Sequence, residues 1–266
     1  MIRDITLGQY FPGESWIHRL DPRVKIIATL LFVVELFIVD SFWGFLAAVA
    51  ALAVVIGISK VPLSFILRGL KPIFIIITFT FVLNLFVIPG KVLVELGPLT
   101  ITEEGVYTAF FMAFRLILLI IGSSLLTLTT KPMSLTDGIE SLLSPFSKIG
   151  VPAHELAMMM TIALRFIPTL LEETDKIMKA QQARGADFET GNILRRAKSL
   201  IPILIPLFIN AFRIAHDLAM AMEARCYRGG QFRTRMNAMK FKSNDAAACV
   251  LLAAFLAVII LMRIVL

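Results

Sequence analysis

Between Val24 and Thr129 the chain offers four apolar stretches, at about 24–40, 42–58, 72–89 and 105–129, and a fifth closes it at about 245–265. Inside a bilayer each backbone N–H and C=O must be satisfied within its own segment, so stretches of this kind fold as helices. That constraint sets the fold class: an all-α integral membrane protein with five transmembrane helices. Composition agrees, since 58% of the 266 residues are hydrophobic, 21 are Phe and the mean hydropathy is +0.85. A water-soluble domain does not bury that much apolar surface. The first three stretches are short against the roughly 20 residues a bilayer core requires, which predicts local thinning or close hairpins. Asp40-Ser41 reads as a tight polar turn, while Lys71-Pro72 opens the third stretch and Pro89-Gly90 closes it.

Charge sets the expected orientation. Segment 1–25 holds four Lys or Arg (Arg3, Arg19, Arg23, Lys25), loop 59–72 three (Lys60, Arg68, Lys71) and segment 131–242 sixteen. The turn at 40–41 has none, and loop 90–104 has Lys91 against Glu95, Glu103 and Glu104. With five spans every basic segment falls on one face, so the N-terminus is expected in the cytoplasm and the C-terminus on the external side. The net charge of +7 follows the membrane in this way and is no nucleic-acid footprint. Residues 1–23 lack an apolar run and hold Asp4, Glu14 and Asp21, so they do not read as a signal peptide. Cys226 and Cys249, in or near the cytoplasmic side, are not expected to form a disulfide.

Three regions follow: a four-helix membrane region at 1–130, a cytoplasmic region of long, crossed amphipathic coupling helices at 131–242 and a last membrane helix at 243–266. In the middle region Pro132, Gly138, Pro145, Gly150 and Pro152 leave room for one short helix near 134–147. Helical patterns then run from about His154 to Gln182 and from about Asn192 to Glu223. At 1.5 Å per residue each exceeds about 40 Å. Pro168 interrupts the first and Pro202 and Pro206 the second, which predicts kinks. Leu200–Met222 competes as a sixth span, but Arg213, His216 and Asp217 lie within it and its clean apolar run is only about 13 residues, which suits an interfacial or protein-buried helix better. Arg165 and Pro168 demote 156–171 in the same way.

Catalytic patterns are missing. The only Gly-Lys pair, Gly90-Lys91, follows no P-loop glycine. His154-Glu155 begins like a zinc helix, but Met158 stands where the second histidine belongs. Glu172-Glu173 begins like an intramembrane protease motif whose arginine position is Ile177. No catalytic residue, cofactor or metal is therefore expected in this chain.

The informative pattern is a repetition. Gln182-Ala183-Arg184-Gly185 ends the first long helical pattern, and Glu223-Ala224-Arg225-Cys226 ends the second. One arginine at a helix C-terminus suits the helix dipole, and Gly185 is an ordinary left-handed cap residue. Two such ends in one insert point to two plugs for similar sockets, because the planar guanidinium pairs bidentately with carboxylates and an alanine before it keeps the tip slim. The doubled motif, the five-span layout and the large insert before the last span resemble the transmembrane T component of energy-coupling factor (ECF) transporters, over essentially the whole chain. That resemblance implies a non-catalytic scaffold joining two ABC-type ATPases, which bind the ATP and Mg, to a membrane-embedded substrate-binding S component for vitamin or metal-ion uptake. It also implies that Arg184 and Arg225 dock into grooves of the two ATPases. The second motif departs from the family, with Cys226 where glycine is usual. Cysteine enters a left-handed cap less readily, and glycine comes only at Gly229-Gly230.

Glu35 and Arg115 are the ionisable residues inside otherwise apolar spans. Both fall in the middle to outer half of the bilayer, and a structural ion pair is expected over a proton relay, since one carboxylate makes a poor relay. The relay would belong to an alternative function, a self-contained ion-coupled transporter using Glu35. An intramembrane hydrolase is a further alternative, opposed by the missing motifs. The alanines at 246, 247, 248, 253, 254 and 257 are expected to form a close-packing face, on the chain's own helices first and on a partner as the alternative, and Met158–Met160 with Met220 and Met222 to make soft apolar contacts.

Overall fold

The computed structural model describes residues 10–96, 99–188, 192–229 and 239–265. They form nine described α-helices and one two-stranded hairpin, grouped in two compact units. The larger unit, residues 8–138 and 239–266, is built on α5 (Glu103–Thr129), against which α1 (Pro22–Ile38), α2 (Phe42–Ser59), α3 (Leu63–Leu70) and α4 (Phe74–Val87) all pack. The last helix, α9 (Ser243–Val265), lies on α1 and α2. Leu36, Val39, Phe45, Ala48, Leu52, Ile66, Leu118, Leu125, Leu128 and Ile259 make one continuous core. Gly122 permits the α1–α5 approach: a Cβ there would stand 2.5 Å from the Phe32 ring.

Polar side chains tie the helix ends of this unit. Asp245 is 1% exposed and sits in the first turn of α9, where one carboxylate oxygen accepts the Lys242 N–H at 2.8 Å. The other accepts the Asp21 N–H at the start of α1, at 2.7 Å. One buried side chain therefore satisfies the N–H that precedes its own helix and holds a second helix. Lys25 donates to the Thr129 carbonyl at 2.9 Å, answering an orphan acceptor at the C-terminus of α5. Thr102 caps α5 by accepting the Gly105 N–H at 3.0 Å, and Ser41 caps α2 by accepting that of Gly44 at 3.2 Å.

The helices and loops depart from the sequence expectations as follows. Segment 90–104 holds a hairpin, β1 (Val92–Leu96) antiparallel to β2 (Leu99–Thr102), where a loop was expected; five β-branched residues supply the propensity. Segment 59–72 contains α3, bent 58° from α4. By length and apolar composition α2, α5, α7, residues 198–224 of α8 and α9 each suffice to cross a membrane. The count of five is as expected, and α2, α5 and α9 are among the expected spans; the expected first span is the 17-residue α1, and the third, the 14-residue α4, is long enough only together with α3. Of the alanines in α9 only Ala248 is buried; Ala246, Ala247, Ala253, Ala254 and Ala257 face outward, because the inward stripe runs through Asp245, Ala248, Phe255 and Ile259.

The second unit, whose described residues lie within 139–229, contains the end of α6 (Pro132–Leu143), a 3₁₀ turn at Ser144–Ile149, α7 (Ala153–Ala183) and α8 (Ile193–Ala224). Gly150, at φ +94°, closes the turn, and His154 Nδ1 lies 3.0 Å from Glu140 Oε1. Both long helices continue through their prolines, Pro168 in α7 and Pro202 and Pro206 in α8. The packing of α7 on α8 is antiparallel: Gln181 Nε2 reaches the Pro202 carbonyl at 3.5 Å, and the Tyr227 hydroxyl reaches Met158 Sδ at 3.0 Å.

Candidate docking tips

The two Ala-Arg repeats end their helices with the same backbone geometry. Arg184 (φ −87°, ψ 6°) and Arg225 (φ −96°, ψ 15°) are the C-cap residues of α7 and α8. The next residue is left-handed in each case, Gly185 at φ +87° and Cys226 at φ +56°. The Gly185 N–H donates to the Gln182 carbonyl at 2.9 Å and the Ala186 N–H to Gln181 at 3.0 Å. At the second tip the Cys226 N–H donates to Glu223 at 2.8 Å and the Tyr227 N–H to Met222 at 3.0 Å. Both ends thus form a Schellman motif, register for register. Cys226 takes the left-handed backbone that its chemistry makes less favourable, and the cap forms there without waiting for Gly229.

Ala183, Arg184, Gly185, Ala224, Arg225 and Cys226 are all exposed, and neither guanidinium makes an ion pair or hydrogen bond to a described residue. The tips sit at opposite ends of the α7–α8 pair. Gln181 lies level with Pro202 and Tyr227 level with Met158, so the tips are separated by about 23 residues of helix, roughly 35 Å. Each presents a free, fork-shaped cation beyond a slim alanine, poised for a carboxylate or carbonyl cluster on another molecule. Between the tips α8 exposes Leu204, Ile205, Phe208, Ile209 and Phe212.

The expected Glu35–Arg115 pair is not formed. Arg115 donates to the Val39 carbonyl at 2.8 Å and meets Asp40 at 3.5 Å, with its guanidinium 5.0 to 5.8 Å from the ring centres of Phe37, Phe45 and Phe111. The α1–α2 turn brings both an acceptor and a carboxylate to the arginine, so it pairs at the turn and not along the helix. Glu35 is 1% exposed, and both its carboxyl oxygens lack a hydrogen-bond partner. Sequence reasoning missed Asp40 as the partner because it read Asp40-Ser41 only as a turn; a charge one helical turn beyond Glu35 was the available signal.

A sequence profile of the family described as CbiQ, cobalt transport protein, matches residues 13–236. The energy-coupling factor transporter transmembrane protein EcfT of Thermosediminibacter oceani is 64% identical over 247 residues, 93% of each chain. That of Clostridium kluyveri is 59% identical over 99% of this chain and 98% of its own. The chain belongs to the EcfT family. A more distant member from Listeria innocua, 46% identical, still aligns over 95% of this chain and 96% of its own. Membership makes the protein a multi-pass component of the cell membrane and the transmembrane component of an ECF transporter.

Proposed function

We propose that this EcfT protein is the coupling scaffold of an importer, gripping two ABC-type ATPases with Arg184 and Arg225 and a membrane-embedded substrate-binding S component along the apolar faces of α7 and α8. ATP and Mg would be bound and used by the ATPases, and this chain would carry no catalytic residue. The observation that carries the reading is the duplicated Schellman cap with its free arginine at each end of one antiparallel helix pair. Closure of the ATPases on ATP would change the spacing of their sockets, and the long helices would transmit that displacement to the S component. The N-terminus would be cytoplasmic and the C-terminus external, and the cargo would be a vitamin or metal ion selected by the S component.

The test is co-purification from gently solubilised membranes. Wild-type chain should retain two P-loop ATPases, and Arg184→Glu/Arg225→Glu should lose them while keeping its own elution profile. Arg→Lys at either tip should already weaken retention, since a point charge replaces a bidentate fork. Normal ATPase retention with both arginines reversed would end the proposal.

A further inference from the structure

We propose that α3 lies in the headgroup layer of the membrane and binds anionic phospholipid through Lys60, Arg68 and Lys71. This goes beyond the coupling role and does not depend on it.

The eight-residue helix is amphipathic. Leu63, Ile66, Leu67 and Leu70 share one face at helical spacing, with Ser64 and Arg68 opposite. Ile66, 1% exposed, enters the core beside α5, and Gly69 stands close against Ser124 of that helix. Phe65 meets the Phe11 ring at 5.3 Å between centres. The helix is thus held on the protein by Ile66, Phe65 and Gly69. Leu63 and Leu67, 61% and 56% exposed, extend the apolar face outward with nothing described covering them.

Charge then fixes the depth. No Asp or Glu occurs between Asp40 and Glu95, so the three cations have no acidic partner in their own segment. None makes an ion pair to a described residue; Arg68 has only the Phe65 ring, 5.0 Å away. An unpaired arginine and two lysines in the hydrocarbon core would be costly, which excludes α3 as the inner half of a span. Exposed leucines disfavour bulk water. The 58° bend sets α3 off the axis of α4, so the two need not share one depth in the bilayer. A helix with leucines on one face and unpaired cations around the other matches an acyl boundary below phosphates. Lys60 at the left-handed end of α2 and Lys71 at the break before α4 bracket it, so cations stand at both ends of the helix as well as on its outer face.

The experiment uses the full chain in phosphatidylcholine vesicles with or without phosphatidylglycerol. A bimane fluorophore is placed on Leu67→Cys, and in parallel on Leu63→Cys, in a Cys226→Ser/Cys249→Ser background. Quenching is read from doxyl labels carried on either lipid, shallow or deep, and from aqueous iodide. Shallow labels should quench best. Each cation near an anionic surface contributes on the order of a fivefold preference, so labelled phosphatidylglycerol should be enriched at least fivefold over phosphatidylcholine. Lys60→Gln/Arg68→Gln/Lys71→Gln, or 0.5 M salt, should bring that ratio to about one. Equal quenching by both lipids in the wild type would overturn the proposal. So would quenching only by deep labels, which would put α3 inside a broken span, or only by iodide. ATPase retention by the triple variant reports separately on the tips, so the two proposals fail independently.

Discussion

Replacing Gly185 by alanine leaves the space around the tip of α7 undisturbed, since a Cβ there meets no atom within 4 Å. The penalty is therefore confined to the backbone. At φ +87° an alanine is held in the left-handed region at a cost of about 1 kcal/mol. With 1.4 kcal/mol per factor of ten, the open form of the cap gains about fivefold in population. Cys226 at φ +56° already bears a similar cost, so Cys226→Gly should run the other way by about the same factor. Amide hydrogen exchange reads both directly, because local opening releases the 6→1 hydrogen bonds of Ala186 and Tyr227. Exchange at Ala186 should quicken about fivefold in Gly185→Ala and leave Tyr227 unchanged, and exchange at Tyr227 should slow about fivefold in Cys226→Gly. Unchanged exchange in both variants would refute the reasoning that left-handed caps define these tips.

Three further outcomes are expected. Arg115→Leu should cost about 3 kcal/mol in a detergent melt, because a buried carbonyl loses its donor, whereas Asp40→Asn at an exposed site should cost less than about 1 kcal/mol; Glu35→Lys with Arg115→Glu should give no mutual rescue. Asp245→Ala should lower stability by about 2 kcal/mol by orphaning two backbone N–H groups, with Asp245→Asn recovering part of the loss in the same melt. His18 Nε2 donates to the Phe11 carbonyl at 3.1 Å, and Nδ1 lies 2.7 Å from the Ser15 hydroxyl. Burial, with Lys25 adding to it, holds its pKa below 6.5 against the opposing pull of the Phe11 bond. The unfolded chain therefore binds the extra proton first, and stability should decline as pH falls below about 6.5, a slope that His18→Gln should flatten in melts between pH 7 and 5.

The two long helices and their ends were legible to within a residue or so, because periodicity, an Ala-Arg terminus and glycine act locally. That Arg184 and Arg225 stand at those ends was legible for the same reason. The partner of Arg115 was not: sequence spacing placed Glu35 and Arg115 at similar depth, but only the packed turn shows that the Val39 carbonyl and Asp40 reach the guanidinium first. The hairpin at 92–102 was hidden by Pro89-Gly90 and three glutamates, which read as loop while Val92, Val94 and Ile101 carried strand propensity. The outward alanines of α9 were misread because small residues mark a possible close face without saying which face the neighbours occupy. Membrane depth carries the same ambiguity for α7 and α8, whose length and apolarity match those of spans.

An antiparallel pair whose two ends carry the same cap has an approximate half-turn axis through its middle. Rotation about that axis exchanges Arg184 with Arg225, although the sequences around them differ. Whatever receives both tips in the same manner must itself be organised about a dyad, as a homodimer or as two homologous chains. A single asymmetric polypeptide can in this way stand at the centre of a symmetric machine while offering two unlike surfaces elsewhere. The substitution at Cys226 then marks where the two halves are chemically distinguishable, and hence where a partner built of two different chains could read which end is which.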